Sequence, residues 1–301
     1  MPDGEVVKIA IIGGSGLGDA LGVETGETKT FETPFGAPSS PVVLAKWHGI
    51  EIALLQRHGT GHIYNPSNIP YRANIYALKQ LGITHIVASG ATGSLRENIG
   101  PGDLVIVDQV IDKTSKRANT FYKDAAVHVE LAEPFCPVMR KWLLQAVEQS
   151  RDRLGDITVH DGGTYVCMEG PGFSTKAESQ MHRQWGGDLI GMTCMPEAKL
   201  AREAEIAYAL LALPTDYDCW KPHPAGIKAP DLLAEITRNL RQASTNGITL
   251  IKAAMANIST LYAEPSPSHN ALSMAIWSDK SEIDPAEIQR LDVLWGRHFK
   301  D

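Results

Sequence analysis

Several features that would narrow the role of a chain at once are scarce here. Only four cysteines, Cys136, Cys167, Cys194 and Cys219, occur in 301 residues, and no two form a CxxC pair. Disulfide frameworks staple short secreted domains and zinc sites need close spacing, so this pattern predicts reduced thiols in a cytosolic protein. Basic charge is not in excess, since the formal net charge is −7. A reader of phosphate backbones needs the opposite sign; a nucleic-acid partner is therefore not expected, although a local pocket for a small anion is compatible with this balance. No apolar run reaches the roughly 18 residues that span a bilayer, so no membrane partner is expected. The first residues carry Asp3 and Glu5 and no apolar core, unlike a secretory leader. There is no internal repeat and no low-complexity tract.

What is present is ordinary globular material, 43% apolar and 21% charged, long enough for one large or two small domains. Short apolar runs at residues 6–12, 42–45, 50–55, 85–88, 104–111, 163–168, 189–192 and 206–213 read as strands. Between them, residues 68–81, 137–153, 176–185, 197–205 and 232–256 read as helices, the second opened by Pro137 with Met139, Trp142, Leu143 and Val147 on one face. Glu264-Pro-Ser-Pro-Ser-His269 reads as a linker. That divides the chain into a domain over 1–264 and an extension over 265–301 that ends in an amphipathic helix at 285–298. Strands alternating with helices predict an α/β fold with a largely parallel sheet covered on both faces. Ligands of such sheets sit at the carboxyl ends of strands.

Six segments fall at such ends. Gly13-Gly14-Ser15-Gly16-Leu17-Gly18 follows the first strand, yet Asp19 stands both where a dinucleotide fingerprint needs its third glycine and where a Walker loop needs lysine. It remains either a phosphate cradle with Ser15 or a simple turn. Gln56-Arg57-His58-Gly59 offers a planar donor fork and an imidazole donor, or a surface pair. Ser89-Gly90-Ala91-Thr92-Gly93 offers close backbone approach, or a tight turn. In Met168-Glu169-Gly170-Pro171-Gly172-Phe173-Ser174, Phe173 stacks on a base or belongs to the core. In Gly191-Met192-Thr193-Cys194-Met195-Pro196-Glu197, Thr193 donates to phosphate and Met192 lines a sugar face, while Glu197 reads as a first-turn helix charge. Finally Asp216 and Asp218, at i and i+2, project to one side if the segment is extended, as acceptors for an amino group and a protonated ring nitrogen, or as a solvated turn. Metal ligation is disfavoured because no third acid is close and His223 lies between two prolines.

Together and in this order, the segments resemble those of the methylthioadenosine phosphorylases, a branch of the trimeric purine nucleoside phosphorylase family. The resemblance also takes in Pro66-Ser67, Gly93-Ser94-Leu95-Arg96-Glu97, Pro101-Gly102-Asp103 and Ala132-Glu133-Pro134-Phe135-Cys136-Pro137, and covers residues 6–235. It implies a single-domain, twisted mixed β-sheet wrapped by helices, assembled as a homotrimer. It implies phosphate held by Ser15, Arg57, His58, the Gly90–Ala91 backbone and Thr193, with Met192 against the ribose. Phe173 and Ser174 would border the base, and Asp216 and Asp218 would read its edge. His128 would reach the 5′ end of a substrate in a neighbouring subunit, and Ala229, Leu232 and Leu233 would meet an apolar 5′-methylthio group. Departures are Gly172 where arginine is usual, Gly90 where threonine is common, a short segment before His128, a small Ala229, and no match beyond Pro265.

The implied reaction is phosphorolysis of a purine thionucleoside in purine and methionine salvage. Inorganic phosphate is the co-substrate and nucleophile, so no cofactor or metal is called for. Asp216 is the candidate acid at N7 of the leaving purine, and Asp218 accepts from the 6-amino group or orients Asp216. An ionised carboxylate accepts from a 6-amino purine and repels a 6-oxo one. Phosphorylases of 6-oxopurine nucleosides, a hydrolytic nucleosidase and a non-enzymatic purine-binding module remain as alternatives.

Overall fold

The computed structural model describes residues 7–13, 24–47, 50–222, 226 and 228–300. In chain order the strands are β1 (Ile9–Gly13), β2 (Glu24–Lys29), β3 (Val42–Trp47), β4 (Ile50–Gln56), β5 (His85–Ser94), β6 (Leu104–Ile106), β7 (Gln109–Asp112), β8 (Val159–Asp161), β9 (Thr164–Cys167), β10 (Leu189–Gly191) and β11 (Ala207–Asp216). The main helices are α1 (Tyr71–Gln80), α2 (Pro137–Leu154), α3 (Lys176–Gln184), α4 (Cys194–Glu203) and α5 (Ala229–Met255). All eleven described strands join one sheet, with order β2-β3-β4-β1-β5-β10-β9-β7, while β11 pairs β5 and β6, and β6 also pairs β8. It is mixed: β1 runs parallel to β4 and β5, and β5 parallel to β11, whereas β3 and β10 run antiparallel to their β4 and β5 neighbours.

The central strands are apolar on both faces because both are covered. Ile9 and Ile11 of β1 and Ala207, Ala209, Leu211 and Leu213 of β11 enter the core beneath α2 and α5. The alternate residues Ala10, Ile12, Tyr208, Leu210 and Ala212 enter a second core with α1 and α4. The two-residue period of a strand thus sorts one continuous run into two cores. Trp142 of α2 is 1% exposed; replacing it by alanine would cost about 3–5 kcal/mol.

Residues 265–300 pack into the α1/α4 core through Leu272, Ile283, Leu291, Leu294 and Trp295, whose ring stacks on Tyr122 at 4.6 Å. The single amphipathic helix expected over 285–298 is instead broken into Pro285–Arg290, Asp292–Trp295 and a 3-10 turn at Gly296–Phe299. The Arg297 guanidinium and His298 ring both turn onto the buried Glu205 carboxylate, at 2.7 and 3.1 Å, contacts a straight helix would not aim together. The expected strand over 104–111 is likewise split in two, and β2 and β8 gave no apolar signal.

Candidate active site

β1 leaves β5 after the Ile12–Ala88 pair, and β10 joins the same edge only at Gly93 and Ser94. Residues 89–92 therefore have no strand on that edge among the described residues, while β11 stays paired along the other. A cavity of about 770 Å³ opens at this gap, lined by the ends of β4, β5, β10 and β11. It is a crevice at the carboxyl ends of parallel strands where neighbours part, the place such sheets bind ligands.

One end of the cavity gathers hydrogen-bond donors around a buried arginine. The Arg57 amide donates to Gly13 O at 3.0 Å and extends the β1–β4 ladder by one rung, which turns the side chain inward. Its Nε and Nη2 grip the two oxygens of Glu197 at 2.7 and 2.8 Å, and Nη1 donates to Ser89 O at 2.8 Å on the free edge of β5. Tyr208 Oη donates to the same carboxylate at 2.8 Å. Arg57 and Glu197 are 1% and 0% exposed. Burial opposes the charged guanidinium, but the adjoining carboxylate outweighs it and holds the Arg57 pKa above its ordinary value. Glu197, expected as a first-turn helix charge, does stand in the first turn of α4, but it points into the core as the partner of Arg57.

His58, Gly90, Ala91 and Thr193 line the same end. A Cβ built on Gly90 would lie 3.5 Å from Thr193 Oγ1 and 3.9 Å from Arg57 Nη1, so these groups surround one small space. His58 Nδ1 lies 2.9 Å from Tyr64 O. A carbonyl only accepts, so Nδ1 donates and the Nε2 of the neutral ring is an acceptor. Burial pushes the His58 pKa below its ordinary value, with Arg57 and His62 adding to that, so the neutral ring dominates at neutral pH. His58 was expected as a donor; its neutral ring instead presents Nε2 as an acceptor.

The other end carries the two acids. Asp216 closes β11, and its Oδ1 and Oδ2 accept from Thr215 Oγ1 at 2.8 Å and from the Asp218 amide at 3.0 Å. Asp218 is not in extended backbone; its φ is +45°, a left-handed conformation that aspartate tolerates. The two acids thus share the cavity because the Asp216 carboxylate caps the turn, rather than by strand alternation. Ser179 Oγ of α3, fully buried, donates to Asp218 Oδ2 at 2.5 Å. Trp220 Nε1 donates to Ser94 O at 2.8 Å, and Arg183 lies 3.7 Å above its ring, which fixes the turn.

Met192, Phe173, Ser174 and Leu232 also line the cavity. A Cβ on Gly170, where φ is +70°, would come within 2.6 Å of Met192 Sδ, so glycine there lets the 168–174 loop close on Met192. Phe173 is 88% exposed at the rim and is not core. Around Gly172 the space is open. Apolar lining comes from Leu232, Ile236, Leu240, Ile248 and Ile251 of α5, with Leu211 and Leu213 of β11 and Ile190 of β10.

Other expected residues are not brought here. Ser15 and the glycine loop around it lie outside the described residues, as does His223. Leu233, one position and about 100° around the helix from Leu232, is on the outer face with Thr237 and Arg241, and Ala229 lines neither hollow. His128 lies away from the cavity of its own chain; its amide donates to Ala275 O at 2.9 Å and its ring packs 4.8 Å from the exposed Trp277. Glu197, Tyr208 and Ser179 were not anticipated as parts of the site, since their partners are 140, 11 and 39 residues away in the chain. Among the described residues no cluster of three histidine, cysteine or acidic side chains is placed to hold a metal.

Comparison with known proteins agrees with this picture. Residues 8–256 match the model of the phosphorylase superfamily. The S-methyl-5′-thioadenosine phosphorylase of Synechocystis is 42% identical over 292 residues, 97% of this chain and 87% of its own length. A methylthioadenosine phosphorylase crystal structure from an Antarctic soil metagenomic library superposes with a TM-score of 0.88 at 45% identity, covering 96% of this chain and 99% of its own. The Schistosoma mansoni methylthioadenosine phosphorylase in complex with adenine superposes at 0.81 with 35% identity, over 90% and 99% of the two chains. Coverage of 97% and 96% of this chain by the first two means that most of the segment after Pro265, for which the sequence offered no match, has counterparts in them. By alignment and by fold, the chain belongs to the phosphorylase superfamily, on its methylthioadenosine phosphorylase branch.

Proposed function

We propose that the chain cleaves S-methyl-5′-thioadenosine with inorganic phosphate, giving adenine and S-methyl-5-thio-ribose 1-phosphate. The observation that carries this reading is the union, in one cavity, of the Arg57–His58–Gly90–Thr193 end with the Asp216–Asp218 end and Met192. Phosphate at the first end is held for attack on the anomeric carbon, chiefly a matter of positioning. Its charge also favours an oxocarbenium-like sugar. Because Arg57 is already paired with Glu197, it contributes oriented N–H groups with little net charge. This suits an anion that must leave its site as a sugar ester.

At the second end the purine departs as its N7 gains a proton, with Asp216 as donor or as acceptor for the protonated ring, and Asp218 accepts from the 6-amino group. Phe173 and Ser174 border the base. Ser15 completes the phosphate site, and Leu232, with Ala229 and Leu233 nearby on α5, faces the 5′-methylthio group. A neighbouring subunit of a homotrimer supplies His128. Phosphate is itself the nucleophile, so the chemistry requires no cofactor. None of the described helices is long and apolar enough to cross a membrane, and we place the enzyme in the cytoplasm.

The test is adenine release from methylthioadenosine with and without phosphate, beside methylthioinosine and inosine. Phosphate-dependent release confined to the 6-amino substrate is expected. Release without phosphate would overturn the anion site, and faster turnover of the 6-oxo substrates would overturn the roles of the two aspartates.

A further inference from the structure

One buried cation plays no part in the chemistry above. Arg117 lies in the long connection between β7 and α2, its side chain 1% exposed, and it does not line the cavity. Its Nη1 is shared among Met192 O and Met195 O, both at 2.6 Å, and Tyr71 Oη at 3.2 Å. Its Nη2 donates to Glu169 O at 2.6 Å and approaches Met168 O at 3.4 Å, while Nε faces Glu169 Oε1 at 3.3 Å. Met192 and Met195 bracket Thr193 of the phosphate end. Met168 and Glu169 open the loop that carries Phe173 and Ser174 at the base end. A single planar fork therefore holds both loops by their carbonyls. Glu169 is anchored in turn, accepting from Ser67 Oγ at 2.5 Å and from the Ser115 and Lys116 amides at 2.7 and 3.2 Å.

We propose that Arg117 is a positioning residue that couples the two halves of the cavity, so that an occupied phosphate site tightens the base site and the reverse. The physical argument is geometric. Neither loop is tied to the other by a helix; β9 and β10 pair along a short ladder of three rungs that ends at Cys167–Gly191, and the Met168 amide donates to Gly191 O at 2.9 Å just as both loops begin. Past that ladder Gly170 packs against Met192, and the Arg117 guanidinium bonds carbonyls of both loops, so that its rigid fork transmits a shift of the Met192 and Met195 carbonyls to those of Met168 and Glu169. Lysine, with one nitrogen and three donors, cannot span both pairs. Coupling of this kind is reciprocal by thermodynamic necessity.

The proposal rests on the phosphorylase reading, and calorimetric titration of adenine with and without saturating phosphate separates the two. Without the sugar phosphate these ligands cannot react, so the ratio of the two adenine affinities measures coupling alone. For the wild-type enzyme phosphate is expected to tighten adenine at least about fivefold, at the lower bound of common coupling energies. In R117K the ratio should fall to within about twofold of unity. D216N should lose adenine affinity and keep the ratio. A ratio near unity in the wild type, or an undiminished ratio in R117K, would overturn the proposal. If R117K does not fold, E169Q decides, a lowered ratio supporting the coupling and an unchanged one overturning it. Absence of any adenine binding in the wild type would remove the phosphorylase reading itself.

Discussion

The two ends of the cavity are built in opposite ways. At the phosphate end Arg57, Glu197 and Tyr208 are all under 3% exposed, and the guanidinium is aimed before any ligand arrives. At the base end Phe173 is 88% exposed, Gly172 has nothing around it, and the aspartates are held by a turn. An anion must be met by fixed donors, because the benefit of electrostatic preorganisation lies in dipoles that need not move. A flat purine gains from surfaces that close over it, and a loop can do that only if it is free to open. Substitutions at the first end should therefore cost stability and rate together, whereas those at the rim should alter substrate affinity and leave the fold alone.

Glu197→Gln is expected to break this contrast most severely. It leaves the Arg57 charge buried without a counter-ion, which costs about 3–5 kcal/mol. Thermal unfolding should show the loss, and added phosphate should restore more of it than it adds to the wild type, because the ligand becomes the missing anion. Equal phosphate effects on the two proteins would mean that Arg57 does not face the anion. Asp216→Asn comes next, removing the proton donor or acceptor at N7 while keeping the shape. Its turnover of methylthioadenosine should fall on the order of a hundredfold, the lower range of general acid effects. Its relative activity on methylthioinosine should rise. An unchanged ratio of the two substrates in a side-by-side assay would refute the assignment of Asp216.

A pH experiment sharpens the same comparison. Native His58 has a lowered pKa, so the unfolded chain takes up its proton first as the pH falls. Stability owed to the neutral ring is present above the unfolded value near 6.5 and is lost as the pH drops from there toward the folded value. Because the ring is partly solvated, the slope should be a fraction of the roughly 1.4 kcal/mol per pH unit that a whole proton gives. H58Q should flatten that part of the curve between pH 6.5 and 5. Identical curves for the variant and the wild type would show that His58 does not titrate differently on folding. At the rim, Phe173→Ala should raise the KM for the nucleoside by roughly two- to tenfold, as for loss of one aromatic contact, with the melting temperature unmoved.

The same contrast explains what was legible in the sequence. The strands at β1, β4 and β11 were visible because burial on both faces writes an unbroken apolar run, and the loops after them were visible because small residues and Arg57 cluster there. Glu197 does stand in a first helical turn as expected, but its pairing with Arg57 was missed because that position has a sufficient local explanation and its partner is remote in the chain. Arg117 carried no motif at all; it lies in an irregular connection, and only the folded loops reveal what it holds. Leu232 and Leu233 were both expected against the 5′ group, although adjacent helical residues point about 100° apart. For Asp216 and Asp218 an extended backbone was assumed, and the left-handed Asp218 replaced it with a capped turn.

Gly90→Thr is the smallest and most specific test of the anion end. Threonine is common at this position in the family that the sequence resembles, and here glycine leaves a space bounded by Thr193 Oγ1 and Arg57 Nη1 at 3.5 and 3.9 Å from a built Cβ. Those are ordinary contact distances, and Gly90 has no positive φ that would penalise a side chain, so the substitution fits without displacing the fork. A hydroxyl there adds one donor to a site whose other groups are already fixed, worth about 0.5–1.5 kcal/mol for a neutral hydrogen bond. The KM for phosphate should fall by roughly two- to tenfold, while the KM for the nucleoside and the melting temperature stay near wild type. If instead both KM values rise together, the space beside Gly90 is needed by the substrates and the preorganised end has no room for a further donor.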